Sequence, residues 1–379
     1  MTNIKKTFKY QHNYKAMESN IIIATRLMWP GGVFRTALEE ARYMDSELLI
    51  LRKAFHPTPY DMDGVNLNIL RMQNSNSNIL THIFSLITLF YDKERGSDAT
   101  IDVDLILKLS SMQDIKNKRV LYFDQFIALA GYINYIRYGE SYNVFLHETV
   151  LGRKYNLKTV PLAIYDKLIL RHAKIVITNS KWNQKILENY GIKSHVVYLG
   201  CEHVNEPNLK RKPIVIAVSM WDRFRKPELY AEMAMELNAE MWICGSWARE
   251  DYKNEFIKKY GNIVRITDSI TDDSLNNLYD EASFYIRFGF DERGPGLGGI
   301  EALGHGLPVI TNNGLGISEL IDDSVNGFIV KDIHEAAEKI NYMLLNRERY
   351  LDMIKNAWMK GTELSWENHA RRVAEILAS

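Results

Sequence analysis

Strands alternating with amphipathic helices, twice over, predict an α/β protein of two doubly wound domains. Three observations carry that expectation. The chain has 379 residues, it runs two separate rounds of apolar strand followed by helical periodicity, and a polar, proline-bearing segment divides the rounds. A chain of this length exceeds one ordinary core, so two domains are expected. The composition, 46% hydrophobic and 25% charged, is that of a globular protein. Its 47 basic residues balance 47 acidic ones, which argues against broad electrostatic binding to nucleic acid. The two cysteines, Cys201 and Cys244, have no metal-ligand spacing and offer no disulfide framework, as suits a reducing cytoplasm.

The first round opens with a strand at Ile21 to Thr25, then Trp29-Pro30-Gly31-Gly32, then an amphipathic helix. Val33, Ala37, Leu38 and Ala41 form its apolar face, with Arg35, Glu39, Glu40 and Arg42 on the other. Further strands are expected at Leu48 to Leu51, Val120 to Phe123, Asn143 to Leu146 and Ile175 to Thr178, with helices at Ile127 to Tyr138 and Val160 to Arg171. The apolar run Ile79 to Tyr91 is too short to span a bilayer and reads as a core helix. The polar N-terminus MTNIKKTFKYQHNYK lacks the apolar stretch of a signal peptide, and peripheral membrane contact stays open.

Glu202 to Pro213, with two prolines, reads as a linker, and Lys210, Arg211 and Lys212 within it as solvated. The second round then follows. Strands are expected at Ile214 to Val218, Met241 to Cys244, Ile263 to Ile266, Ser283 to Ile286 and Leu307 to Thr311. Helices are expected at Pro227 to Leu237, Ser274 to Ala282, Ile300 to Gly304, Ile333 to Leu345 and Trp366 to Leu377. The divisions are 1–203, 204–365 and a closing helix 366–379 that returns to the first domain. A ligand would lie between the domains, at the C-terminal ends of the strands.

The segment Asp291 to Val330, DERGPGLGGIEALGHGLPVITNNGLGISELIDDSVNGFIV, is dense in glycine. Glycine permits tight turns and close backbone approach, and Gly-rich turns at helix N-termini present N–H groups and a positive dipole end to phosphate. Glu301, in the first turn of its helix, can accept both ribose hydroxyls of a nucleotide. The N–H groups of Gly296, Leu297, Gly314, Leu315 and Gly316 can take diphosphate and sugar oxygens. Two Asp-x-Asp matches, Asp61 with Asp63 and Asp102 with Asp104, are discounted as metal sites. The second alternates with Ile101, Val103 and Leu105 as one wet face of a strand.

The order of these parts resembles the retaining glycosyltransferases of family 4, whose architecture is GT-B: two Rossmann-like domains facing each other across a cleft. Pro295-Gly296-Leu297 matches the family's turn and Glu301 its second glutamate. Gly306-Leu307-Pro308-Val309-Ile310, Gly316-Ile317-Ser318-Glu319 and Asn326-Gly327 match the elements that follow. The resemblance implies that Lys226, in Met220-Trp-Asp-Arg-Phe-Arg-Lys226, neutralises the leaving diphosphate. The family's arginine position is Met220 here, so Arg223 or Arg225 would have to substitute. It further implies that Gly31 and Gly32 face the diphosphate and that His147 contacts the transferred sugar. Arg35, beside the glycines, meets an anionic acceptor or forms a surface salt bridge. The family's first glutamate falls on Arg293, with Glu292 displaced by one, so Glu292, Asp291 or Arg293 would take that role.

The implied activity is transfer of a sugar from a nucleotide diphosphate sugar to a hydroxyl acceptor with retention, giving an α-linkage. No metal or other cofactor is expected. The acceptor would be a saccharide, a lipid-linked saccharide or a glycoprotein, bound by the N-terminal domain. Two other readings stay open: a catalytically silent relative that stabilises a partner transferase, motivated by Met220 and Arg293, and a sugar-nucleotide epimerase of the same fold.

Overall fold

The computed structural model describes residues 21–26, 32–52, 62–71, 103–112, 115, 118–154, 159–289 and 292–379. Gly31, Asp61, Asp102, Asp291 and the run 79–91 lie outside the described residues.

Among the described residues the strands form two sheets, all of whose strand pairs are parallel. The first takes β1 (Ile21–Arg26), β2 (Glu47–Arg52), β3 (Asn66–Arg71), β4 (Arg119–Phe123), β5 (Asn143–Leu146), β6 (Ile175–Thr178) and β7 (His195–Val196) in the order β3-β2-β1-β4-β5-β6-β7. The second takes β8 (Ile214–Val218), β9 (Glu240–Cys244), β10 (Arg265–Thr267), β11 (Phe284–Arg287), β12 (Val309–Asn312) and β13 (Gly327–Val330) in the order β10-β9-β8-β11-β12-β13. Each sheet therefore reverses direction once, between β1 and β4 and between β8 and β11. Crevices at such reversals are where open α/β sheets bind ligands. Strands such as β5, β6 and β11 are buried along their whole length, as expected where helices cover both faces.

The first helix, α1 (Gly32–Tyr43), departs from the expected polarity of its faces. Phe34, Ala37, Leu38 and Ala41 are buried, but so are Glu39 and Glu40, while Val33 is exposed. The cause lies far along the chain. The closing helix, Trp366–Ala378, packs on α1 and β6, and its His369 meets the Glu40 carboxylate at 3.0 Å. Glu39 takes Arg35 at 2.9 Å and Arg42 at 2.6 Å. Two buried carboxylates are thus paired rather than solvated.

The chain crosses between the two halves at two adjacent places, near Cys201 and Ser365. There the Cys201 N–H donates to Leu364 O at 2.8 Å and the Trp366 N–H to Cys201 O at 3.2 Å. Arg211 is not solvated. Its guanidinium donates to the carbonyls of Tyr279, Asp280, Ala282 and His305, capping the end of the helix Asp272–Glu281. Residues 103–111 form a helix, not a strand. Ile106 and Leu109, three apart, are its buried apolar positions among the described side chains, and this spacing overrides the short alternation read before it. No described helix is long and apolar enough to cross a membrane.

Candidate active site

In the second sheet's crevice, strand β11 ends at Arg287 and the chain turns back through 292–296 into the helix Leu297–Gly304. Gly296 caps that helix at φ 69°, a conformation that side chains rarely adopt. The N–H groups of Gly296 and Leu297 open the helix, where no intrahelical acceptor exists. Because the helix starts at 297, Glu301 stands in its second turn, not its first. Tyr279 donates its hydroxyl to Glu301 Oε2 at 3.1 Å. Burial raises the Glu301 carboxyl above the usual carboxylate range, against the Tyr279 hydrogen bond and the Arg35 charge, which pull it down.

The Gly-rich segment divides into two parts with different uses. Glu292 faces the crevice, held by Arg287 through both oxygens at 2.9 and 2.8 Å. Arg293, the neighbour that stands at the family's glutamate position, turns the other way. It is buried and donates to Leu151 O at 2.5 Å and to Thr149 O at 3.4 Å in the first half. Glu319 also crosses between the halves. It accepts from the N–H groups of Lys181 and Trp182, at 2.8 and 2.7 Å, and from the Tyr198 hydroxyl at 2.9 Å. It thereby caps the helix Lys181–Asn189. Gly316 gives its N–H to Glu292 O at 2.8 Å, so that donor is spent within the protein. A side chain there would strike the backbone of Arg293 and Gly294. Leu315 is buried, and Gly314, at φ 92°, lies against the Trp182 ring.

The loop after β8 is anchored by Trp221, buried, with its indole N–H on Cys244 O at 2.9 Å. Neither arginine of this loop stands free beside Lys226. Arg223 is exposed, paired with Glu255 at 2.7 Å and stacked over Tyr252. Arg225 pairs with Asp222 at 3.0 Å. Lys226 is exposed, makes no ion pair among the described residues and adopts φ 48°, a left-handed conformation unusual for a side-chain-bearing residue.

From the first half, Gly32 reaches the Gly296-Leu297 turn: a Cβ at Gly32 would lie 3.3 Å from Leu297 Cδ1. Arg35 forms salt bridges rather than standing open, to Asp272 at 2.8 Å and Glu202 at 3.1 Å. His147 follows β5 and stacks on Phe145, with its Nε2 buried and without a hydrogen-bond partner. Burial, with His369 nearby, pushes its pKa down to about 3, so the imidazole is neutral at physiological pH. Asp124, at the end of β4, has φ 100° and caps the N–H groups of Phe126 and Ile127. A cavity of about 600 Å³ opens at the seam, lined by Arg153, Lys154 and Trp182 from one half and Arg293 and Gly314 from the other. Among the described residues no cluster of His, Cys, Asp or Glu could hold a metal ion.

Sequence reasoning missed Arg287, Tyr279 and Asp124. Arg287 ends a strand that reads as wholly apolar apart from it, and a charge at the C-terminal end of a central strand was the available signal.

Residues 209–358 match the family described as glycosyl transferases group 1. A Dictyostelium discoideum protein described as GDP-Man:Man(3)GlcNAc(2)-PP-Dol alpha-1,2-mannosyltransferase is 23% identical over 241 residues. That match covers 53% of this chain and 47% of the relative, so the similarity spans about half of the relative's length. Among solved structures, Anabaena HepE, crystallised with UDP-glucose, superposes with a TM-score of 0.72 at 17% identity, covering 94% of this chain and 99% of that one. WaaG, described as a glycosyltransferase involved in lipopolysaccharide biosynthesis, gives 0.66 at 13% identity over 95% of this chain and 100% of that one. The fold is GT-B, and within it residues 209–358, most of the second half, carry the group 1 match.

Proposed function

We propose that this chain transfers a sugar from a nucleotide diphosphate sugar to a hydroxyl acceptor with retention, forming an α-linkage. The observation that carries the reading is the meeting of Glu292, the Gly296-Leu297 turn and Glu301 at the crevice of the second sheet, with Gly32 of the first half packed against Leu297. Glu301 takes the ribose hydroxyls, the turn takes donor oxygens, and Lys226 neutralises the departing diphosphate. His147, as a neutral imidazole, and Glu292 orient the sugar. The anomeric carbon exchanges its bond to the phosphate oxygen for one to the acceptor oxygen on the same face. The acceptor's proton passes to the departing phosphate oxygen. The protein's share is positioning, charge stabilisation and exclusion of water between the halves. No metal takes part in this scheme, and turnover is expected to survive a chelator.

The acceptor approaches from the first half, beside the seam cavity that Arg153, Lys154 and Trp182 line. A lipid-linked saccharide fits best, because the Dictyostelium relative is described as acting on a saccharide carried by PP-Dol. Such an acceptor would bring the protein to the cytoplasmic face of a membrane as a peripheral visitor. A thermal-shift screen against UDP- and GDP-sugars tests the reading, since a ligand of the folded state raises the melting temperature. At least one donor should do so and then yield an α-linked product. A protein that binds none of them is instead the silent relative. One that converts the donor without an acceptor is an epimerase.

A further inference from the structure

Arg287 is the last residue of β11 and stands where the second sheet reverses direction. Its guanidinium bridges that reversal. Nη1 donates to Val218 O, at the end of β8, at 2.9 Å, while Nε and Nη2 grip the two oxygens of Glu292. The Glu292 carboxylate in turn lies beneath the donor turn, since a Cβ at Gly296 would stand 3.2 Å from its Oε2. The Glu292 backbone is held as well, through its carbonyl, by the Gly316 N–H. Consecutive side chains thus part company, Glu292 into the crevice and Arg293 to the carbonyl of Leu151. We propose that Arg287 is a positioning residue, which fixes Glu292 as the carboxylate that meets the transferred sugar at the Gly296-Leu297 turn.

The inference rests on the transferase reading above. A bidentate guanidinium sets both the place and the plane of a carboxylate, which a single ammonium cannot do. A carboxylate that must meet sugar hydroxyls gains from being fixed before the donor arrives, because small misplacements at a reacting centre are costly. The same pair also accounts for the unusual residue at 293: with Glu292 supplying the carboxylate, position 293 is left to tie the two halves together.

Arg287→Met, Arg287→Lys, Glu292→Gln and the double variant Arg287→Met/Glu292→Gln test it, with turnover, affinity for sugar-free UDP and GDP, and melting temperature measured on each. Arg287→Met should lower kcat by about 50-fold or more and leave the nucleoside diphosphate affinity within about threefold. Arg287→Lys, which keeps the charge and the fold, should lose about tenfold. The double variant should be no slower than Glu292→Gln alone, because Arg287 acts only through that carboxylate. Three results overturn the inference: kcat within about threefold of wild type in both Arg287 variants, losses that multiply in the double variant, or a fall in nucleotide affinity equal to the fall in kcat. A wild-type protein that binds neither UDP nor GDP overturns the transferase reading itself, and this inference with it.

Discussion

The two crevices of this molecule are furnished differently. That of the second sheet is wired in advance: Arg287 grips Glu292, Tyr279 holds Glu301, and the helix Leu297–Gly304 aims its first N–H groups between them. That of the first sheet offers a neutral, buried imidazole at His147, whose Nε2 has no hydrogen-bond partner, and an Asp124 at φ 100° whose carboxylate caps the Phe126 and Ile127 N–H groups. The contrast teaches a division of labour. Under the proposed transferase reading, a donor with a constant nucleotide diphosphate core would reward rigid preorganisation, whereas an acceptor site would be freer to vary with its substrate.

Removal of either charged contact on the wired side gives the largest expected effect. Under the transferase reading Glu301→Ala deletes the carboxylate proposed for the ribose, and Lys226→Ala deletes the exposed lysine of the loop after β8, which makes no ion pair among the described residues. Each should cut transfer by about 100-fold or more while the protein stays folded, in keeping with the cost of losing one preorganised electrostatic contact. Turnover near wild type in either variant, on the correct donor and acceptor, would sink the assignment and erase the contrast between the crevices.

A smaller effect is expected where the halves touch. Glu319 spends its carboxylate on Lys181, Trp182 and Tyr198, all in the first half. Glu319→Ala should cost about 1–2 kcal/mol of stability, as loss of a helix cap does. It should also lower kcat about tenfold through poorer closure of the halves. Donor affinity should stay within about threefold, since no donor contact is lost. A tenfold loss of donor affinity in calorimetry would return Glu319 to the donor site.

Most of the fold was legible because buried parallel strands are short apolar runs, and those at 143–146, 175–178 and 214–218 could be read directly. The edge strand Asn66–Arg71 was not, because its alternation of Asn with Leu and Ile is only half-buried and gives a weak pattern. Glu40 was placed on a wet face because its partner, His369, lies 329 residues away. Arg211 reads as solvated in any local window, yet four carbonyls converge on it. Within the site, glycine spacing located the turn at Gly296 and Leu297. It could not distinguish Glu292 from Arg293, since that depends on which way consecutive side chains leave a loop.

The smallest effect concerns the unwired side and is read through pH. Burial holds His147 near a pKa of 3 in the folded protein, against about 6.5 when unfolded. Between these values the unfolded chain binds the proton and the folded chain does not, so the contribution is complete above about pH 6.5 and is lost as the pH falls. The slope for one such group is about 1.4 kcal/mol per pH unit. Urea unfolding at pH 7, 6 and 5 should therefore show wild type losing stability more steeply than His147→Leu, by about 1 kcal/mol per unit. Parallel slopes would mean that His147 reaches solvent in the folded protein, and the contrast between a wired and an unwired crevice would lose its buried imidazole.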